Sequence, residues 1–256
     1  MKHSSRLCGL VASTLLIPTI ANATIVEFVT SQGNVRVNLH DETTPKTVEN
    51  FLNYVSDGDY NESLIHRVET NFVIQGGGFK YQDDGFNFGF IDTDDAVVNE
   101  PVWSNVKGTI AMAKLSGNAN SATSQWFFNM TDNSANLDVQ NGGFTVFGQV
   151  VEEDMPVLEA INELTRCSNS FGATPMVNYT GTQCTSGEAP GYENFVTIYS
   201  VDIIDETVVT DSALSKTPNT LIDEDNTPQP DTGSGGGGSL FWLLLCSFFG
   251  LSRFKR

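Results

Sequence analysis

The amino-acid sequence predicts a mainly β fold, either a barrel or a sandwich, with two helices packed against it. Short segments that alternate apolar and polar residues recur along most of the 256-residue chain, and only two segments have the spacing of an amphipathic helix. The apolar fraction of 39% is enough for a hydrophobic core. We therefore expect one globular domain with extensions at its ends.

The first half of the predicted domain begins with a β-hairpin. Residues 25–29 and 35–39 alternate in polarity, and a short turn containing Gly33 joins them. A helix is expected over residues 44–58, because proline is favoured in a first turn and glycine follows the last apolar position. Residues 60–75 return to strand character.

The second half continues the strand pattern after a loop predicted at residues 76–99. The remaining predicted strands lie at residues 108–113, 125–130, 144–151 and 195–204. Aromatic residues occupy both faces of the strand at 125–130, so one face is expected to meet a core and the other a pocket. Asp154 is predicted to cap a second helix, which has Pro156 in its first turn.

Residues 60–78 carry the most distinctive group of side chains. Arg67, Phe72 and Gln75 stand in a strand-type segment that ends in three glycines. Because alternate side chains share one face of a strand, these residues can line a shallow, half-polar pocket. Arg67 supplies a permanently charged fork of donors, and the Gln75 amide can bond to a peptide carbonyl. The alternative is an edge strand with a solvated arginine and a hairpin turn.

Residues 1–23 are predicted to be a secretory signal peptide. Lys2 and Arg6 precede an apolar run over residues 7–20, and Ala21-Asn22-Ala23 is a small-x-small cleavage site. An uncleaved anchor is the alternative, but the run is short and is interrupted by polar residues and a proline. Signal peptidase is thus an expected partner. The protein is expected beyond the inner membrane, in the periplasm, at the cell surface or secreted.

The C-terminal end combines a glycine-rich hinge, an apolar run and a basic terminus. Residues 235–238 are glycines, residues 240–251 are mostly apolar, and three of the last four residues are basic. The run is shorter than the roughly 20 residues that a free-standing membrane span needs. The order of these three segments resembles that of the bacterial GlyGly-CTERM sorting signal, which the intramembrane protease rhombosortase cuts near the glycines. A plain tail anchor is the alternative, and in both readings residues 240–256 hold the unprocessed chain at the membrane.

The segment between domain and tail has a different composition. Residues 207–239 are rich in Thr, Asp, Pro, Ser and Gly, which predicts a disordered acidic linker. The folded domain is thereby bounded to residues 24–206. The formal net charge of −18 argues against a nucleic-acid partner.

Two of the four cysteines fall within the predicted domain. Cys167 and Cys184 lie in a stretch rich in Ser, Thr, Gly and Asn, and in an exported protein we expect them to form a disulfide. No metal site is expected, because only His40 and His66 remain after the signal peptide and no Cys-x-x-Cys occurs.

Several of these segments together resemble the cyclophilin family of peptidyl-prolyl cis-trans isomerases, and its bacterial periplasmic branch in particular. The matching segments are IHRV at 65–68, NFVIQGG at 71–77, GTIAMA at 108–113, SATSQWFF at 121–128, Leu137-Asp138, and VFGQV at 146–150. They follow the family order across about residues 24–206. The resemblance implies a closed eight-stranded antiparallel β-barrel capped by two helices. It also implies a monomer that needs no cofactor and acts on proline-containing polypeptides.

The resemblance further implies roles for individual residues. Arg67 matches the catalytic arginine, and Gln75 matches the glutamine that orients the substrate carbonyl. The walls of the proline pocket are matched by Phe72, Val73, Phe127 and Leu137. The peptide groove and the pocket rim are matched by Ala113, Gln125 and Phe144, the last standing where relatives carry His or Tyr. Two departures are Glu69, in place of a usual apolar residue, and Lys114, in place of an Asn.

The leading hypothesis is an isomerase that rotates X-Pro peptide bonds in exported proteins and assists their folding. The rival hypothesis is a non-catalytic peptide-binding module of the same fold at the cell surface. His66 adjoins Arg67 but should point to the opposite face of its strand, so we interpret it as structural rather than as a catalytic base.

Overall fold

The computed structural model describes residues 23–82, 88–167, 172–208 and 214–222. The predicted signal peptide, except its last residue, and the predicted sorting tail lie outside these residues. Among the described residues, none belongs to a helix that has both the length and the apolar character needed to cross a membrane.

The described chain is mainly β. Its strands are β1 (Ala23–Thr30), β2 (Gly33–Leu39), β3 (Ser63–Leu64), β4 (Arg67–Glu69), β5 (Val73–Gly76), β6 (Phe79–Tyr81), β7 (Phe88–Phe90), β8 (Thr109–Met112), β9 (Trp126–Asn129), β10 (Val146–Val150), β11 (Thr165–Arg166), β12 (Pro175–Met176) and β13 (Thr197–Val208). The helices are α1 (Pro45–Asp57), α2 (Ser134–Leu137), α3 (Met155–Asn162) and α4 (Gly181–Ser186).

Eleven strands form one antiparallel sheet, in the order β4-β5-β9-β8-β10-β2-β1-β13-β3-β6-β7. The chain runs from β3, near one end of this order, to β4, at the other end, through only Ile65 and His66. The sheet must therefore curl until its two ends are close together. No pairing between the outermost strands is seen in the described part of the chain, so the closed eight-stranded barrel remains a prediction.

The predicted hairpin, helices and later strands are confirmed with small shifts at their ends. Two further short helices, α2 and α4, were not predicted. The predicted loop at residues 76–99 is wrong in part, because it contains β6 and β7, which pair with each other. Asp154 precedes α3, but its side chain makes no cap bond to the helix. Its carboxylate instead accepts hydrogen bonds from the Arg36 backbone N–H and guanidinium at 2.8–3.0 Å.

The main core lies inside the curled sheet, where aromatic side chains pack against α1. Phe28 contacts Trp126 with ring centroids 5.0 Å apart, and Phe51 contacts Phe147 at 5.1 Å. α1 is amphipathic, and it buries Val48, Phe51 and Val55 as its spacing predicts. Gly58 ends the helix in the left-handed conformation, which glycine adopts without steric cost.

The prediction of a disordered linker is wrong for residues 214–222. Pro218 forms a β-bridge with Trp103. The backbone N–H of Ser104 donates to the carbonyl of Thr217, and that of Asn219 donates to the carbonyl of Val102. This segment therefore packs on the folded domain. β13 also extends to Val208, two residues beyond the predicted domain boundary.

Candidate active site

One row of paired residues crosses four neighbouring strands. Arg67 of β4 pairs with Gln75 of β5, Gln75 pairs with Phe127 of β9, and Phe127 pairs with Ala111 of β8. Directly opposed residues in an antiparallel sheet project to the same face. The row therefore places a guanidinium, an amide and an aromatic ring side by side, on the face opposite Trp126 and Phe128 of the main core.

The polar half of the row is a hydrogen-bonded chain. Arg67 Nη1 donates to Gln75 Oε1 at 3.3 Å, and Gln75 Nε2 donates to Gln125 Oε1 at 2.9 Å. The Arg67 side chain is only 14% exposed, and its Nη2 lies 3.2 Å from the carboxylate of Glu69. These contacts hold the guanidinium in one orientation at the edge of the site.

The apolar half is a separate small cluster beside the main core. Its buried members are Val73, Ala111, Phe127, Leu137, Phe144 and Val146, and its partly buried members are Phe72, Trp103 and Ala113. All the residues matched to the proline pocket and its rim are thus in one cluster. Phe127 and Phe144 pack edge to face with ring centroids 5.8 Å apart.

That His66 points to the face opposite Arg67 stays a prediction, and its side chain also interacts with Gln125 of the polar chain. His66 is 8% exposed, and its ring lies 4.7 Å from that of Phe79 in an edge-to-face contact. Burial, together with the nearby charge of Arg67, lowers the pKa of His66 from its ordinary 6.5 to about 3. The imidazole is therefore neutral at physiological pH, and its buried position favours a structural role.

Lys114 reaches the site from the end of β8. Its ammonium donates to the carbonyls of Asn141 and Gly143 at 3.0 and 2.5 Å, and lies 4.8 Å from the centre of the Phe144 ring. Burial lowers the pKa of Lys114 to about 8. The Lys114 side chain thus fixes the backbone of the loop that carries Phe144.

The same loop is held from within by Asp138, which follows Leu137. Its carboxylate accepts from the Ser104 hydroxyl at 2.5 Å, and from the backbone N–H and side-chain amide of Asn105 at 2.7 and 2.9 Å. The Asn105 amide also donates to the Phe144 carbonyl at 3.1 Å. Both ends of the loop are therefore joined through one buried asparagine.

The predicted disulfide between Cys167 and Cys184 is present, with Cα atoms 5.2 Å apart. The loop that this disulfide closes contacts β4, the strand that carries Arg67. Val68 N–H donates to the Ala173 carbonyl, and the Thr174 hydroxyl donates to the His66 carbonyl, both at 2.8 Å. The disulfide loop thus braces the backbone on both sides of Arg67.

Sequence reasoning missed three groups that support the site. The contact of Glu69 with Arg67 has a sequence signal, since residues two apart in a strand share a face. The bonds of Lys114 and Asn105 to the Phe144 loop have none, because their partners lie 27 to 39 residues away. Within the described ranges, no group of three His, Cys, Asp or Glu residues is arranged to hold a metal ion.

Comparisons with known proteins point to one family. Residues 25–182 match the family model described as cyclophilin type peptidyl-prolyl cis-trans isomerase/CLD. A peptidyl-prolyl cis-trans isomerase of Acinetobacter baylyi is 39% identical over 157 residues, covering 60% of this chain and 80% of the relative. Peptidyl-prolyl cis-trans isomerase A of Dickeya dadantii is 36% identical over 176 residues, covering 63% and 86%.

A solved structure gives a more distant match. The crystal structure of a cyclophilin type peptidyl-prolyl cis-trans isomerase of Cryptosporidium parvum aligns with a TM-score of 0.47 at 18% sequence identity. The alignment covers 72% of this chain and 99% of that one.

Proposed function

The chain belongs to the cyclophilin-type peptidyl-prolyl cis-trans isomerase family, and we propose that Arg67 accelerates rotation about X-Pro bonds held in the adjacent apolar cluster. The family makes the protein an isomerase that works without a cofactor. The observation that carries the proposal is the cross-strand row, which sets the Arg67 guanidinium and the Gln75 amide beside Phe127.

The barrier to be lowered comes from amide resonance. Rotation about a peptide bond costs about 18–20 kcal/mol, because the nitrogen lone pair must leave conjugation with the carbonyl. In the twisted state that lone pair is localised on the proline nitrogen and can accept a hydrogen bond. A donor placed at this nitrogen bonds more strongly to the twisted amide than to either planar form, which is differential stabilisation of the transition state.

The arrangement of the site supports these roles. Arg67 is held by Gln75 and Glu69, so its donors are already oriented before a peptide binds. The Gln75 amide, which donates to Gln125, supplies an N–H for the carbonyl that precedes proline. Phe127 and the other side chains of the apolar cluster hold the proline ring by van der Waals contact while that carbonyl rotates about the peptide bond.

We further propose that the protein acts on exported polypeptides. The signal peptide predicted at residues 1–23 and the sorting or anchor segment predicted at residues 240–256 both indicate passage across the inner membrane. The disulfide between Cys167 and Cys184 supports this location, because disulfides persist mainly in oxidising compartments. Signal peptidase and rhombosortase are the processing partners, and the mature protein is a monomer in the periplasm, at the cell surface or secreted.

The proposed activity is tested by isomerisation of a cis X-Pro peptide with wild-type protein, Arg67→Ala and Arg36→Ala. Arg36 is the matched control, because it pairs with Asp154 away from the row. We expect a large loss of rate in Arg67→Ala and none in Arg36→Ala. Equal, near-background rates in all three folded proteins, with proline peptide still bound, would instead indicate a binding module.

The proposed location is tested by the mature N-terminus. Cell fractionation followed by mass spectrometry should find the protein outside the cytoplasm, beginning at Thr24. A cytoplasmic protein that retains residues 1–23 would contradict export.

A further inference from the structure

The C-terminal strap, residues 214–222, lies against the wall of the candidate site, although it falls beyond the residues that match the family model. Its backbone pairs with the segment around Trp103, through Thr217 and Asn219. The Lys216 ammonium lies 5.1 Å from the centre of the Trp103 ring. Because Trp103 packs on the apolar cluster of the site, the strap covers one of the residues that support the pocket.

Asn219 is the residue of the strap that is buried against the folded domain. Its neighbours Pro218 and Thr220 are exposed, but Asn219 itself is only 9% exposed. Its side-chain amide donates to the backbone carbonyl of Asp138 at 3.0 Å in a buried contact. Its side-chain oxygen accepts from the backbone N–H groups of Leu221 and Ile222 at 3.1 and 3.2 Å. The amide nitrogen therefore bonds to the folded domain, and the amide oxygen bonds to the backbone of the strap itself.

The carbonyl that Asn219 holds belongs to the wall loop, which we define as residues 137–144. Leu137 and Phe144 at its two ends are both members of the apolar cluster, and they are joined by a bond from Phe144 N–H to the Leu137 carbonyl at 2.8 Å. Gly143 in this loop has φ of +71°, and a Cβ there would lie 2.6 Å from the Asp138 carbonyl oxygen and 3.3 Å from the Asn219 amide nitrogen. The loop and the strap are thus closely packed at this point.

We propose that Asn219 is a positioning residue for the isomerase site, which fixes the wall loop and thereby the proline-contacting side chains of Leu137 and Phe144. The inference rests on the pocket assigned under the proposed function. The wall loop is held on one side by Lys114, through the Asn141 and Gly143 carbonyls. Asn105 also joins this loop at the Asp138 carboxylate and the Phe144 carbonyl. Asn219 supplies a further hydrogen bond at the Asp138 carbonyl, from a segment outside the residues that match the family model.

This role predicts a particular kinetic signature. The wall residues contact the proline ring in the planar and in the twisted amide alike, so a loosened wall weakens both states equally. Loss of such uniform binding raises KM and leaves kcat nearly unchanged. Loss of the Arg67 donor acts on the twisted state and lowers kcat. The two kinds of residue are therefore distinguished by which kinetic constant changes.

The test compares Asn219→Asp with Thr220→Ala in the full chain. Asn219→Asp keeps an oxygen that can accept from Leu221 and Ile222, but it replaces the donor that faces the Asp138 carbonyl. We expect KM for a proline peptide to rise roughly three- to tenfold, the range that one lost buried hydrogen bond spans, with kcat within about twofold. Thr220→Ala alters an exposed neighbour and should change neither constant. Asn219→Gln, which can restore the donor, should recover part of the lost affinity.

The result that would overturn the inference is an unchanged KM in Asn219→Asp, whether or not its melting temperature falls. A lower melting temperature alone would mean that the strap stabilises the domain without positioning the wall. Phe127→Ala, measured in parallel, separates this failure from failure of the proposed function. If Phe127→Ala raises KM and Asn219→Asp does not, only the strap inference is wrong. If neither variant changes KM, the pocket itself is misassigned and both proposals fall.

Discussion

The guanidinium of Arg67 and the carboxylate of Glu69 face each other at 3.2 Å, two residues apart on β4. The Arg67 side chain is largely buried, whereas that of Glu69 is about one-third exposed. A negative charge thus lies beside the group that we propose as the electrostatic catalyst. Because Gln75 also bonds to the guanidinium, Arg67 does not depend on Glu69 alone for its orientation.

We predict that Glu69→Gln raises kcat/KM by roughly two- to fivefold, because an adjacent anion weakens the donor that stabilises the developing lone pair. The substituted amide keeps an oxygen that can accept from Arg67, so orientation should be preserved. The measurement is peptide isomerisation at low and high salt, and the difference between the proteins should shrink as salt screens the charge. A fall in kcat would show that Glu69 mainly orients Arg67.

A second prediction concerns pH and His66. Because the pKa of His66 is lowered to about 3, kcat/KM should be flat through the ordinary histidine range, from about pH 5.5 to 7.5. A sigmoidal fall in rate near pH 6.5 that disappears in His66→Phe would instead assign His66 a catalytic role.

The same group should affect stability in acid. The unfolded chain takes up the His66 proton near pH 6.5, whereas the folded protein resists it until about pH 3. Stability from this residue is therefore complete above pH 6.5 and is lost as the pH falls towards 3, by on the order of 5 kcal/mol. Urea unfolding of wild type and His66→Phe across this range measures the effect. Parallel stability curves would contradict the lowered pKa.

Lys114 should show a dependence in the alkaline range. Burial lowers its pKa from 10.5 to about 8, so holding the charge costs the folded protein free energy at neutral pH. Between pH 8 and 10.5 the folded protein has released this proton while the unfolded chain still binds it. Unfolding free energy should therefore rise across that window relative to Lys114→Met. A constant difference between the two proteins would mean that Lys114 titrates normally.

Removal of the disulfide should lower stability by about 3 kcal/mol on the chain-entropy model. The double variant Cys167→Ser/Cys184→Ser should also lose some activity, because Ala173 and Thr174 bond to the backbone on both sides of Arg67. We expect kcat to fall less than tenfold, since β4 still pairs with β5. Denaturant unfolding and isomerase assays, with reduced wild-type protein as control, test both effects. An unchanged free energy of unfolding would show that the disulfide does little to restrict the unfolded chain.

Local sequence patterns were sufficient for most of the fold. The alternation at 125–130 correctly divides Trp126 and Phe128, in the main core, from Phe127, in the apolar cluster. Arg67 and Gln75 also come together as expected, although neither their pairing with each other nor that of Gln75 with Phe127 could be read from spacing. The division of side chains within residues 125–130 follows from a short-range rule, since strand periodicity fixes which side chains share a face.

Two of the three failures, those at Asp154 and in the strap, share a physical cause, which is dependence on distant partners. β6 and β7 were assigned to a loop because residues 76–99 are polar and rich in Gly, Asp and Phe, yet Phe79 and Phe90 pair across them. Asp154 was predicted to cap α3, but Arg36, 118 residues earlier, provides a charged partner for its carboxylate. The strap reads as a polar linker, and its place in the fold depends on bonds to residues far away in sequence, such as the buried bond from Asn219 to Asp138, 81 residues away.

In our proposal, Arg67 stabilises the twisted amide and not the bound peptide. NMR exchange spectroscopy on an X-Pro peptide measures its affinity and its rate of cis-trans exchange on the protein in one experiment. We predict that Arg67→Ala binds the peptide within a few-fold of wild type while the exchange rate falls at least about 100-fold, as when one transition-state donor is removed. Exchange that persists at the wild-type rate, or that falls only in proportion to lost affinity, would contradict the claim.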